Sequence, residues 1–202
     1  MLTLHANDVL TVLPHRSKDR LRGDITNLRV EPSTSGVLLI ATDGHTLIVL
    51  HESLAPAIKA PYNVHITKDT ERALKTKNSD VYDRYLHVDV DGRARVLHGE
   101  QQVIHIQPEN ALIDGASYAP WRDVLTQYAL EKAKPGNPPN AAIDGQLLAR
   151  FDPDKKGLQL TYGMASDDPV IVRIPQRPNV FGVVMPMRYE PLAETFPNFL
   201  GL

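Results

Sequence analysis

The stretch Leu38-Leu39-Ile40-Ala41-Thr42-Asp43-Gly44-His45-Thr46-Leu47-Ile48-Val49 restricts what this chain can fold into more than any other. Two runs of apolar, strand-forming residues flank Asp-Gly, a pair that favours the tight turn of a β-hairpin. The reading is a strand over 36–42, a turn at Asp43-Gly44 and a second strand over 45–50.

Turn residues divide the 202-residue chain into three comparable stretches. In the first, a short strand at Thr3-Leu4 precedes a helix capped by Asn7, with Val9, Leu10 and Leu13 as its apolar face. Pro14 ends or kinks that helix. A basic segment over 15–22 follows, then strands over 24–31, 36–42 and 45–50. In the second stretch a strand over 63–66 leads to a helix capped by Thr67 and running to about 77, with Glu71 near the capping-box position. Strands follow over 84–90, 94–97 and 102–107, with turns at Asp91-Gly92 and His98-Gly99. Strand, helix and three strands thus occur twice in the same order, a repeat of structure without identity. Lys134-Pro135-Gly136-Asn137-Pro138-Pro139 cannot be regular structure and marks a loop or boundary. The third stretch has a short helix over 143–151, capped by Asp144, and strands over 158–162, 170–174 and 180–185. The fold class is α+β with antiparallel sheets, and the family resemblance given below implies two domains, 1–127 and 128–202.

Composition removes several function classes. With 0 Cys, disulfide scaffolds, zinc-cysteine sites and thiol catalysis are excluded, and a cytoplasmic setting is expected. No apolar run reaches the length of a membrane span, and Met1-Leu2-Thr3-Leu4-His5-Ala6 lacks the basic start and apolar core of a secretion signal. A net charge of -2 is wrong for a dedicated nucleic-acid binder, so any DNA contact needs a local basic face. Lys68, Arg72 and Lys75 share such a face at helical spacing, and Arg16, Lys18, Arg20 and Arg22 follow the first helix. Faces of this kind either meet duplex phosphates without reading sequence or are solvated surface. His45 lies two residues from Asp43, too close along one turn for a catalytic triad, and no His-Glu-x-x-His, phosphate loop or Gly-x-Ser-x-Gly elbow occurs. No catalytic residue, metal or cofactor is expected. A small hydrolase or ligand-binding enzyme on a repeated α+β scaffold is the alternative, marked by an ordered metal or a buried ionisable pair in a cleft away from the hairpin.

Ala41-Thr42-Asp43-Gly44-His45-Thr46-Leu47 and its apolar strand resemble the middle domain of the bacterial DNA polymerase processivity clamp, the β sliding clamp. Val183-Val184-Met185-Pro186-Met187-Arg188 resembles the segment with which that clamp's chain closes. The stretch 114–125 is similar to the linker between the clamp's second and third domains, with Pro120 displaced by one position. The resemblance implies the DNA-clamp fold, two repeat units packing their helices side by side under antiparallel sheets. It also implies an apolar groove for short peptides of polymerases and other replication or repair proteins. Carried over residue by residue, one wall holds Thr42, Gly44, His45 and Leu47, and the facing wall Val184, Met185, Pro186 and Met187. Ile25 and Val124 take two further apolar positions, while Thr46 stands where the family usually has Arg. The basic faces would then point at double-stranded DNA. Clamp chains carry six units where this one shows three, so a shortened, phage-like or mobile-element homologue is expected. Such a chain acts either as a homo-oligomeric ring or as an adaptor or decoy that uses the groove alone. Phe196, Phe199, Leu200 and Leu202 resemble the ending of clamp-bound peptides; the first expectation is a tail that packs on the body, and the alternative is one that folds back into its own groove or that of a neighbouring copy.

Overall fold

A computed structural model of the chain describes residues 1–75, 84–99, 102–113, 117–125, 141–163 and 165–187. Strand β1 (Leu2–His5) runs straight into α1 (Ala6–Val12), which a 3-10 turn at Leu13–His15 closes where Pro14 removes a backbone donor. Strands β2 (Leu28–Pro32), β3 (Val37–Thr42), β4 (Thr46–Glu52) and β5 (Tyr62–Val64) follow. Next come α2 (Lys68–Leu74), β6 (Arg84–Val88), β7 (Ala94–His98), β8 (Gln102–Ile106) and β9 (Leu112–Ile113). A single helical turn α3 (Trp121–Val124) precedes α4 (Gly145–Ala149) and strands β10 (Gln159–Thr161), β11 (Val170–Arg173) and β12 (Val180–Val184).

Local chemistry moves several boundaries. The α1 cap is His5, whose Nδ1 accepts from the Asn7 amide at 3.3 Å, so Asn7 is not the cap. Residues 24–26 form no strand, because Thr26 Oγ1 donates to the Gly23 carbonyl at 2.6 Å and closes a 3-10 turn. Thr67 caps α2 as expected, accepting from the Thr70 amide at 3.2 Å, but the helix stops at Leu74 because Lys75 is extended. Asp144 caps α4 by accepting from Gln146 N at 2.7 Å.

Two antiparallel sheets result, in the orders β1-β6-β7-β8 and β10-β11-β12-β4-β3-β2-β5-β9. The repeat units trade their first strands: β1 pairs with β6 of the second unit, and β5 with β2 of the first. Helices α1 and α2 touch each other beneath the sheets. The larger sheet also runs through to the third stretch, because β12 pairs along β4 from Val180↔Leu50 to Val184↔Thr46.

The central strands are apolar on both faces. Leu39, Ala41, Ile48, Leu50 and Val184 point into the main core with α1, α2 and Phe151. Leu38, Ile40, Leu47, Val49, Phe181 and Val183 point the other way and are covered by Tyr118, Trp121, Val124 and Leu125. Cover on both sides is why the 37–50 run is nearly continuously apolar instead of alternating.

Three contacts fix the third stretch to the first. Phe151 is buried over Gly182, and His15 packs against its ring at 4.2 Å between centroids. Arg150 reaches Asp43, and Arg177 pairs with Asp8 at 2.7 Å while also donating to Thr11. Asp8 in turn shares a hydrogen bond with the buried Glu52, and burial together with that second carboxyl pushes the Asp8 pKa up to about 7.

Candidate functional site

Asp43 organises the hairpin loop. Its Oδ1 accepts from the amides of His45 and Thr46 at 2.9 and 2.8 Å, and from Thr46 Oγ1 at 3.1 Å. Thr42 Oγ1 donates to the Thr46 carbonyl at 2.7 Å and accepts from Gly44 N at 3.1 Å. The strands are therefore joined by the four residues 43–46, closed by the pair Thr42↔Leu47, and not by a two-residue Asp-Gly turn. The type I′ turn that Asp-Gly favours needs positive φ at both central residues, and of the two Gly44 alone adopts it, at 89°. Asp43 Oδ2 takes Arg150 Nη1 at 2.5 Å. Burial would raise the Asp43 pKa, but Arg150 and the loop amides outweigh it and hold the carboxyl below its ordinary range.

Asp43→Ala removes all of these acceptors at once and leaves the Arg150 charge unpaired. We expect a loss of about 1–3 kcal/mol in urea denaturation, with faster amide exchange at His45 and Thr46. Unchanged exchange there would show that the loop holds itself without the carboxylate.

Beside this loop lies an apolar cavity of about 170 Å³, where the hairpin, the end of β12 and the strap over 117–125 meet. Ile25, Thr42, Gly44, His45, Leu47, Val124 and Met185 all line it. The amide of Met185 donates to the His45 carbonyl at 2.8 Å, which ties the two sequence-distant walls together. Val184, Pro186 and Met187 do not line it. Side chains alternate along a strand, so Val183 faces the cavity and Val184 turns into the core. Beyond the strand, Met187 donates its amide to the Ala142 carbonyl and is 50% exposed.

The sequence reading missed Trp121, Ala119, Pro120, Thr46 and Val183 as lining residues. Trp121 is the one tryptophan of the chain and lines the cavity. It is held by the buried Glu31, whose Oε1 accepts from the indole N–H at 3.4 Å and whose Oε2 pairs with Arg122 at 2.6 Å. Arg29 adds a contact at 3.1 Å. Burial works to raise the Glu31 pKa, but the hydrogen bonds from Arg122, Arg29 and Trp121 hold it below the usual range. A Glu two positions after Arg29 on an apolar strand was the signal available in the sequence, although its partners lie about ninety residues away.

The basic residues divide into two groups. Lys68, Arg72 and Lys75 are exposed on or just after α2, with Arg72 paired to Asp69 at 2.8 Å and Lys75 to Glu71 at 2.6 Å. Arg16 reaches the same Glu71 at 2.7 Å and the Ile66 carbonyl at 2.9 Å. Lys18, Arg20 and Arg22 are exposed in the segment after α1, and Lys18 and Arg22 border the apolar cavity's neighbour. Among the described residues, no group of three His, Asp or Glu could hold a metal ion, and no helix is long and apolar enough to cross a membrane. The buried ionisable pair, Asp8 with Glu52, joins α1 to the end of β4, and neither carboxyl lines any of the larger cavities. The domain boundary near 127 and the tail residues Phe196, Phe199, Leu200 and Leu202 lie outside the described residues.

The sequence matches no family model and no curated protein. The fold does have solved counterparts among bacterial sliding clamps. The DNA polymerase III β subunit of Borrelia burgdorferi, solved in complex with a natural product, superposes at a TM-score of 0.63 with 12% identity, over 94% of this chain and 65% of that one. The Pseudomonas aeruginosa clamp, solved with a ligand, gives 0.62 and 12%, over 93% and 65%. The Caulobacter crescentus clamp, with polyethylene glycol bound, gives 0.61 and 16%, again over 93% and 65%. The chain spans just under two thirds of the length of these proteins. At such identities the likeness establishes the fold, a sliding-clamp fold of α+β class.

Proposed function

We propose that this protein is a non-catalytic replication accessory factor of the sliding-clamp type. Its apolar cavity receives short peptide segments of a DNA polymerase or of other replication and repair proteins. The observation that carries the reading is the convergence of the hairpin 42–47, Met185 and Val124 on one apolar cavity. Those are the segments whose resemblance to the clamp's peptide groove was drawn from sequence. A cavity of about 170 Å³ accepts one or two apolar side chains and falls below the range of drug-sized pockets. Two anchors at about 1.5–3 kcal/mol each supply about 3–6 kcal/mol before the cost of ordering a peptide, which is an affinity of roughly tens of micromolar at best and millimolar at the low end.

Because Trp121 is the sole tryptophan and lines the cavity, its fluorescence reports occupancy without a label. Titration with a peptide carrying a Leu-Leu-Phe anchor is expected to shift that emission between roughly tens of micromolar and millimolar concentration. Val124→Glu and Met185→Glu, both at half-buried positions, should weaken binding by about tenfold or more. Folded variants that bind as well as the parent would defeat the assignment.

Encirclement of DNA by an oligomer is the second reading, and the exposed cations on α2 favour it. The adaptor reading is preferred, because Arg72 and Lys75 are already ion-paired within the helix. Retention on circular DNA, lost when the circle is cut, would reverse that preference.

A further inference from the structure

The walls of the apolar cavity are not equally fixed. The hairpin and the end of β12 belong to one sheet, and ladder pairing holds them from Thr42↔Leu47 to Val184↔Thr46. The remaining wall is the strap over 117–125. Its amides at Trp121 and Asp123 donate to the strap's own Ala119 and Pro120 carbonyls, at 2.7 and 3.0 Å, while side chains tie it to the sheet. Trp121 alone is buried among residues 117–125. The ties converge on Glu31, a buried residue of β2 in register with Leu38. Its carboxylate accepts from Trp121 Nε1 at 3.4 Å and Arg122 Nη1 at 2.6 Å, both on the strap, and from Arg29 Nε at 3.1 Å on its own strand. Arg122 also lies over the Trp121 ring, 4.1 Å from its centroid. Arg29 donates to Asn63 Oδ1 at 3.1 Å, and the fully buried Asn63 donates to the Ser117 carbonyl at 3.2 Å. Lifting the strap therefore takes two donors from a buried carboxylate, which is a costly step.

We propose that Glu31 is a positioning residue for this cavity: its carboxylate latches the strap to β2 and so sets the size of apolar anchor that a bound peptide can present. The inference rests on the peptide-groove reading above. An anchor that fits the cavity of about 170 Å³ leaves the latch closed. A larger anchor must displace a wall. The strands cannot yield without breaking their ladder, so the strap yields, and binding is weakened by what the Glu31 network loses. Removing the charge at Glu31 reduces that loss, and discrimination against the larger anchor falls. Glu31 does not line the cavity, so a change there acts through Trp121 and Arg122 and not by contact with a ligand.

The test compares the full parent chain with Glu31→Gln, which keeps the shape of the side chain, and with Arg122→Gln, which removes the exposed partner on the strap. Without ligand, acrylamide quenching of Trp121, the sole tryptophan, should rise about twofold in both variants. Two peptides, ending in Leu-Leu-Phe or Leu-Leu-naphthylalanine, are then titrated and followed by NMR at the Thr46 and Leu47 amides. The parent should disfavour the naphthylalanine peptide by about tenfold and each variant by about threefold or less. The double variant should match the single ones, because both act on one contact. Val88→Ala, buried in the smaller sheet, lowers stability away from the strap and should leave quenching and ratio as in the parent. Unchanged quenching in the folded Glu31→Gln and Arg122→Gln variants overturns the latch. Higher quenching with an unchanged ratio, or a ratio that also falls in Val88→Ala, overturns its role in anchor size. If neither peptide binds the parent, the groove reading fails, and the ligand-free quenching alone decides whether Glu31 holds the strap.

Discussion

Replacing Gly182 by valine is expected to destabilise the protein by about 2–4 kcal/mol, or roughly 5–15 °C in Tm. Gly182 stands in the middle of β12, in register with Val172 of β11 and Ile48 of β4. A Cβ there would lie 2.3 Å from Phe151 Cε1, closer than any real contact. The ring has little room to retreat, because His15, itself fully buried, packs against it at 4.2 Å between centroids. The substitution must displace Phe151, open the α4 contact or bend β12, and each of these loosens the third stretch from the first. Thermal unfolding by circular dichroism gives the magnitude. A cycle with Phe151→Ala tests the cause: if the clash is the origin, the double variant is clearly more stable than the sum of the two single losses predicts. Simple additivity would place the damage elsewhere.

The second large effect appears only when one of two opposing groups is removed. Burial and the neighbouring Glu52 push Asp8 from its ordinary 3.8 up to about 7. Between those values the folded chain holds a proton that the unfolded chain has released, so stability falls as pH rises across the window. His15 behaves oppositely. Burial and the nearby Arg150 charge push it from 6.5 down to about 4, so between those values the unfolded chain holds the extra proton and stability rises with pH. From about pH 4 to 6.5 the two slopes oppose each other, one proton each, and the parent should be nearly flat. Asp8→Asn should expose the His15 slope, with stability climbing by up to about 1.4 kcal/mol per pH unit. His15→Leu should expose the Asp8 slope, with stability falling over the same range. Chemical denaturation at four or five pH values checks both. Parallel profiles for the two variants would mean that neither group is perturbed in the folded chain.

How much of this could be read beforehand differs from element to element. The hairpin strands and the caps Thr67 and Asp144 are local matters, and the residues next to them carried the signal. The loop 43–46 was misjudged because Asp-Gly also suits a longer loop when the Asp side chain replaces backbone partners, as Asp43 does with three donors. Of the facing wall drawn over 184–187, Met185 lines the cavity, and Val183 joins it from outside that range. A family likeness over 183–188 names a segment, while the parity of β12, set by its pairing with β4, decides which side chains look outward. Trp121 was passed over because its role depends on Glu31, on a different strand and about ninety positions earlier.

By itself the sequence determined the local elements, the twofold strand-helix-three-strand order and the two segments whose likeness to sliding clamps pointed to a groove. These depend on side-chain periodicity, caps and turn residues, all acting over a few positions. Only the tertiary structure decided that the units exchange their first strands, that β12 extends the first unit's sheet, and that Val183 and Trp121 complete the cavity beside Arg22. Those outcomes depend on which strand edges and apolar faces find each other across the whole chain, and that pairing is written in no single stretch of it.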